Sequence, residues 1–250
     1  MIETLRPGIW RRAIRVRADS GGVRADLADD QHRMTVSMHH DGKRVTAIEG
    51  LSVNTPWSIC PSATSVLALL VGLPLEPNPI ALAKQVDAKQ QCTHLFDLAS
   101  LAIAYAARGI ARRDYEIEAP WYRLDRPRAI TLYRDNKPLW TWSLDSDDRL
   151  VGDGPFAGLL AKDLLKAGEN VGADLDTLEA LFVTRRAVLI SQSRRFDLDR
   201  FANAAAVGQS IGACYAYRPE RAEHALRRVG STADFTDRRD ALLRDIANDQ

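Results

Sequence analysis

RMTVSMHHDGKRVTAI, residues 33–48, is the stretch from which the fold is read. Met34, Val36 and Met38 alternate with polar neighbours, the period-2 pattern of a strand with one buried face. Asp41-Gly42 is a two-residue hairpin turn, since both residue types tolerate positive φ, and KRVTAIEGL returns with Val45, Ala47 and Ile48. Upstream, RRAIRVRAD places Ile14, Val16 and Ala18 on one face, and Gly21-Gly22 turn the chain into VRADLADD, a second hairpin. Downstream the period changes. In PSATSVLALLVG, Leu67, Leu70 and Val71 fall at helical spacing, with Pro61 in the first turn and Gly72 as the cap. LPLEPNP is a proline-rich loop and IALAKQVDA a short helix. THLFDLASLAIAYAARGIARR is a long apolar helix from near Thr93 to Gly109.

From about Tyr115 the pattern begins again. A shift of 94 positions lays residues 33–48 over PRAITLYRDNKPLWTW (127–142) without a gap, and Asp41-Gly42-Lys43 over Asp135-Asn136-Lys137. The same shift lays Cys60-Pro61 over Gly154-Pro155 and THLFDL (93–98) over AVLISQ (187–192). The expectation is an α+β protein of two similar lobes from internal duplication, each an antiparallel hairpin sheet plus helices. Residues 1–114 form the first lobe, 115–195 a degenerate second, and 196–250 a mainly helical tail packing on both, with FDLDRFANAAA and ERAEHALRRVG as its helices. Trp140 and Trp142 share one strand face, expected to meet the first lobe.

Composition narrows the class. At 250 residues the chain can bury a core without disulfides or metal. Its 34 Lys and Arg nearly cancel 33 Asp and Glu, so the basic footprint of a nucleic-acid or anionic-membrane binder is missing. Three cysteines make no disulfide framework, no apolar run nears the roughly 20 residues of a membrane span, and MIETLRPGIWRRAIRV has no signal-peptide core. A cytoplasmic globular protein is expected. The sequence contains no Gly-rich phosphate loop, Gly-x-Ser-x-Gly elbow, His-Glu-x-x-His or Cys-x-x-Cys.

Four soft or borderline ligands sit in the first half: His32 before a strand, Cys60 before a helix, and Cys92 with His94 at another helix start. Their counterparts under the shift are Arg126, Gly154, Arg186 and Val188, none of which replaces a thiolate or imidazole. Those ligand types suit zinc, iron–sulfur clusters and other borderline-to-soft metals, and a helix N-terminus favours a thiolate. Singly, each residue reads as structural, because a buried cysteine is a small hydrophobe. Together they read as a metal or reactive-thiol site. Cys214 reads as a buried thiol, with a fourth-ligand role as the alternative. Trp57, Trp140 and Trp142 are candidates for an aromatic substrate wall, with core packing as the competing role. Asp26, Asp29 and Asp30 read as a solvated turn, and Arg185-Arg186 and Arg194-Arg195 as surface pairs.

Cys60-Pro61, Cys92-Thr93-His94-Leu95, Cys214-Tyr215 and Arg227 leading to Gly230-Ser231 resemble the motifs of a bacterial domain-of-unknown-function family, which brings no activity with it. Residues 25–110 are also similar to the NifU-type iron–sulfur cluster scaffolds, through TPWSICPSATSVLALLVGLPL and QQCTHLFDLASLAIA. That likeness puts Cys60 and Cys92 at the second and third scaffold cysteines, His32 near the first, and Met34 near the aspartate that follows it. With one cysteine and the aspartate missing, it implies a Cys₂His metal site in place of cluster assembly.

The leading expectation is a small-molecule enzyme, a lyase or hydrolase acting on a small, aromatic-type substrate at a lobe junction. Cys60, Cys92, His94 and His32 are the metal ligands, with His94 and His32 catalytic, and the metal is zinc or another transition metal. The alternative is a metal or iron–sulfur scaffold or carrier without catalysis. A third is a metal-free Cys60 or Cys92 nucleophile with His94 as base. The expected partner is a small-molecule substrate, with no nucleic acid and no membrane, and homo-oligomerisation is left open.

Overall fold

In the computed structural model, which describes residues 6–121, 128–208 and 210–244, the hairpins join into one sheet. Strands β1 (Gly8–Ala18), β2 (Gly22–Asp29), β3 (Arg33–His40) and β4 (Val45–Asn54) are followed by helix α1 (Thr93–Arg108). Strands β5 (Arg112–Trp121), β6 (Arg128–Arg134), β7 (Lys137–Leu144) and β8 (Leu150–Val151) are followed by helices α2 (Leu164–Asn170) and α3 (Leu175–Ser191). All eight strands are antiparallel, in the order β4-β3-β2-β1-β5-β6-β7-β8. The expected boundary at 114/115 falls inside β5, which pairs with β1 along its length, from Gly8 opposite Trp121 to Arg17 opposite Arg112.

The turns follow their residues. Asp19 accepts from the N–H of Gly21 and Gly22, closing the first hairpin. Asp135 and Asn136 both adopt positive φ (51° and 63°), as a two-residue primed turn between twisted strands requires. Helix α1 ends on Gly109 in the left-handed conformation, and Asp174 caps α3 by accepting from Thr177 N–H at 2.7 Å.

One sheet face carries Trp10, Ile14, Val16, Leu27, Met34, Val36, Tyr115, Ile117, Ile130 and Leu132, all buried. Helices α1 and α3 lie side by side over it and run antiparallel: Arg108 near the end of α1 meets Asp176 at the start of α3, while Asp97 near the start of α1 meets Arg186 near the end of α3. The opposite face is polar, and the C-terminal segment crosses it, packing Leu242, Phe235 and Leu243 on Ala13 and Ala28. No helix among the described residues is long and apolar enough to cross a membrane.

Three expectations are corrected. The 94-residue shift lays β3 over β6 and β4 over β7, yet β3 lies third from the β1–β5 seam and β6 second, so the shifted strands are not equivalent places in the sheet. It also sets the start of α1 on the last turn of α3, because the connection from β7 to α3 is shorter than that from β4 to α1. Arg126 lies outside the described residues. Residues Cys60–Leu70 form a 3-10 helix, not an α-helix: Leu67 and Leu70 are buried, while Val71 is exposed. The tail, expected to be mainly helical, holds among its described residues one four-residue helix, α4 (Pro219–Ala222), and short 3-10 turns. Its order comes from arginine clasps. Buried Arg194 pairs with Asp30 and Asp234, and Arg227 donates to the carbonyl of Pro56 and to Asp199.

Candidate metal and acid–base centre

The β2–β3 turn, the segment after β4, the start of α1 and the end of α3 all reach one end of the sheet. There the tail closes over a cavity of about 340 Å³. His32, Cys60, Cys92, His94, Trp57 and Cys214 all line it. Five sequence candidates and the alternative fourth ligand thus share one cavity, although they come from positions 32 to 214.

The two imidazoles converge most closely. The His32 and His94 rings stack with centroids 3.8 Å apart, and their nitrogens and an oxygen of Asp29 lie within 4.8 Å of one another. No cysteine belongs to that tightest group among the described residues, so the thiols stand around the cluster on the cavity wall. The turn explains His32. Asp29 Oδ1 accepts from the N–H of Gln31 and His32, both at 2.8 Å, and from His32 Nδ1 at 3.0 Å. Its other oxygen accepts from Arg12 Nε at 3.0 Å, across the β1–β2 register. With these bonds made, Asp29 is an orienting carboxylate: it fixes the proton of His32 on Nδ1 and leaves Nε2 as the basic atom. His94 is 5% exposed and its Nε2 has no hydrogen-bond partner, an expensive state for a buried acceptor.

Electrostatics separates the groups. Burial would raise the Asp29 carboxyl, but the charge of Arg12 and the bond from His32 outweigh it and hold it well below the usual carboxylate range. Burial, with Arg12 and His32 beside it, lowers His94 well below an ordinary imidazole, so it is neutral at pH 7. Burial raises all three thiols. Cys92 is pushed up to about 12, with Cys214 adding to the effect, and Cys60 rises further, with Cys92 and Cys214 adding. Without a cation these are neutral thiols; a divalent metal would take them as thiolates.

The rest of the wall is largely apolar, with Met34, Pro56, Leu189, Ile190, Phe196 and Val207. Trp57 is buried, edge-on to Tyr217 at 5.8 Å. The one cation on the wall, Arg186, is matched by Asp97, with Nε to Oδ2 at 2.5 Å. Trp140 and Trp142 are elsewhere. They stack at 4.8 Å; Trp140 donates to Thr184 of α3, Trp142 meets Phe156, and neither lines this cavity. Their expected contact with the first half is replaced by the β1–β5 seam and the α1–α3 pair.

Sequence reasoning missed Asp29, Arg186 and the tail. The aspartates read as a solvated turn are all buried, as is Arg194. The signal for Asp29 was available: writing out the first hairpin's register sets Arg12 directly opposite it.

No curated protein and no solved structure matches the chain. Residues 15–108 match a family model described as "Protein of unknown function (DUF2889)". The matched span holds Asp29, His32, Cys60, Cys92 and His94, while Cys214-Tyr215 and the Arg227–Ser231 segment lie beyond it. On that span the chain is similar to a family defined by sequence and not by activity.

Proposed function

We propose that the protein is a metal-dependent enzyme acting on a small molecule, by a lyase or hydrolytic step, at this cavity. Cys60, Cys92 and His94 are the protein ligands, for zinc or another transition metal. Three ligands leave one position where a carbonyl is polarised or a water activated. His32, aimed by Asp29, takes or returns the proton at Nε2 beside that position. The apolar wall and Trp57 favour a substrate with a ring and little charge, because Arg186 is already balanced by Asp97. The observation that carries the reading is the unpartnered, buried Nε2 of His94 in a cavity lined by thiols.

Metal analysis of freshly purified protein, followed by Co²⁺ titration of the metal-free form, tests it. One equivalent of metal is expected, with thiolate-to-cobalt absorption that weakens in Cys60→Ser and Cys92→Ser and an affinity that drops at least tenfold in His94→Ala. A wild-type chain that takes up no stoichiometric metal under reducing conditions overturns it.

A second reading, a metal or iron–sulfur carrier, draws on the presence of three thiols in one cavity and on the likeness of residues 25–110 to cluster scaffolds. Iron and sulfide in protein prepared without oxygen would favour it. The metal-free nucleophile is disfavoured, since burial keeps each thiol protonated.

A further inference from the structure

The tail contributes more than a wall to the cavity. Tyr215 N–H donates to the carbonyl of Gln91 at 2.9 Å, which sets Cys214 beside Cys92 at the start of α1. Around it the chain doubles back: Gly212, at φ 81°, donates to the carbonyl of Tyr217 at 2.7 Å, and Arg221 lies over the Tyr215 ring at 4.1 Å. Cys214 has an extended backbone at the head of the turn Tyr215–Tyr217 and lines the cavity with Cys60, Cys92 and His94. A loop pinned at both ends, with a thiol pointed at two other thiols and an unpartnered imidazole, has the parts of a fourth ligand.

We infer that Cys214 is the fourth ligand of the metal centre, so that the resting site is a closed Cys₃His set whose last member is carried by the C-terminal segment. This rests on the metal reading above and deepens it. Closed four-ligand sites are inert to outside ligands, and open ones exchange them. The metal then accepts substrate only by expanding its coordination or by releasing the Cys214 thiolate, and the tail governs access to it. The soft three-sulfur set also selects zinc and other thiophilic ions over magnesium or calcium.

The full-length chain, made metal-free under reducing conditions and reloaded with Co²⁺, tests the assignment, with azide as the exogenous ligand. Wild type is expected to give a tetrahedral cobalt spectrum that azide does not change. Cys214→Ser is expected to retain cobalt, lose about one third of the thiolate-to-cobalt intensity as three sulfurs become two, and respond to azide. Alkylation of the wild type gives a readout that needs no variant: cobalt should protect Cys214 from N-ethylmaleimide at least tenfold relative to metal-free protein. If Cys214→Ser matches wild type in intensity and azide response, or Cys214 alkylates equally with and without metal, Cys214 is not a ligand and the three-ligand centre stands. If wild type takes up no cobalt, both readings fall.

Discussion

Asp29 is fully engaged by two backbone N–H groups, an imidazole and a buried guanidinium. Removing it leaves Arg12 charged and uncompensated in the core, so Asp29→Ala should cost about 3–5 kcal/mol in urea denaturation of metal-free protein. Its depressed carboxyl also fixes a sign. The stabilisation is complete above the ordinary aspartate value of about 4 and is lost as pH falls through the lower folded value. Unfolding free energy should therefore drop more steeply below about pH 4 in wild type than in Asp29→Asn. Equal slopes would show that Arg12 and His32 do not hold the charge. The candidate ligands His32, Cys60, Cys92 and His94 were legible as residue types at element edges. Their orienting groups were not, because Arg12 reads as the charged half of an alternating strand until its cross-strand partner is known.

Glu179 is where α1, α3 and the sheet are tied together. It is fully buried and accepts from Tyr105 OH at 2.8 Å, Tyr115 OH at 2.6 Å, Arg108 Nη1 at 2.5 Å and Arg113 Nη1 at 3.1 Å. Glu179→Ala should cost about 3–5 kcal/mol, while Tyr105→Phe, which removes one bond to a charged acceptor, should cost about 1.5–3. Equal losses in the two variants would mean that the network is not built around the carboxylate. Trp140 tests the separation of elements. Trp140→Ala should cost less than the about 3–5 kcal/mol of a fully buried tryptophan and leave metal affinity unchanged. A fall in affinity would put the second half's tryptophans back in the site. At this scale the hairpins and α1 were legible because alternation, turn residues and the Gly109 cap are local signals. The 3-10 geometry of Cys60–Leu70 was not, since buried Cys60, Ala63, Leu67 and Leu70 repeat at three to four residues and fit either helix. The tail was misread for a related reason: its alanines follow helical spacing but fill a small cluster around Trp57, held by arginine side chains in place of a backbone ladder.

Across the whole molecule the C-terminal segment grips both ends of what precedes it. Gly8, at φ 143°, sits against Thr236 and Arg194, and a Cβ there would collide with both side chains. Thr236 Oγ1 accepts from Ile9 N–H at 3.0 Å, and Arg194 Nη2 donates to the Ile9 carbonyl at 3.1 Å. Gly8→Ala should cost about 1–3 kcal/mol and speed amide exchange at Ile9. Unchanged exchange would show that the tail is anchored elsewhere. The architecture, one antiparallel sheet with a helical layer, was legible only as an α+β class, because joining the halves through β1 and β5 is a pairing across about a hundred residues that no local pattern encodes. The same clasp orders events in time. During synthesis Asp29, His32, Cys60, Cys92 and His94 leave the ribosome long before residues 207–217, so the nascent chain can gather its metal donors while one side of the cavity is still water. The last-made segment then seals a centre that is already loaded, and a chain released without metal must open that seal before it can be repaired.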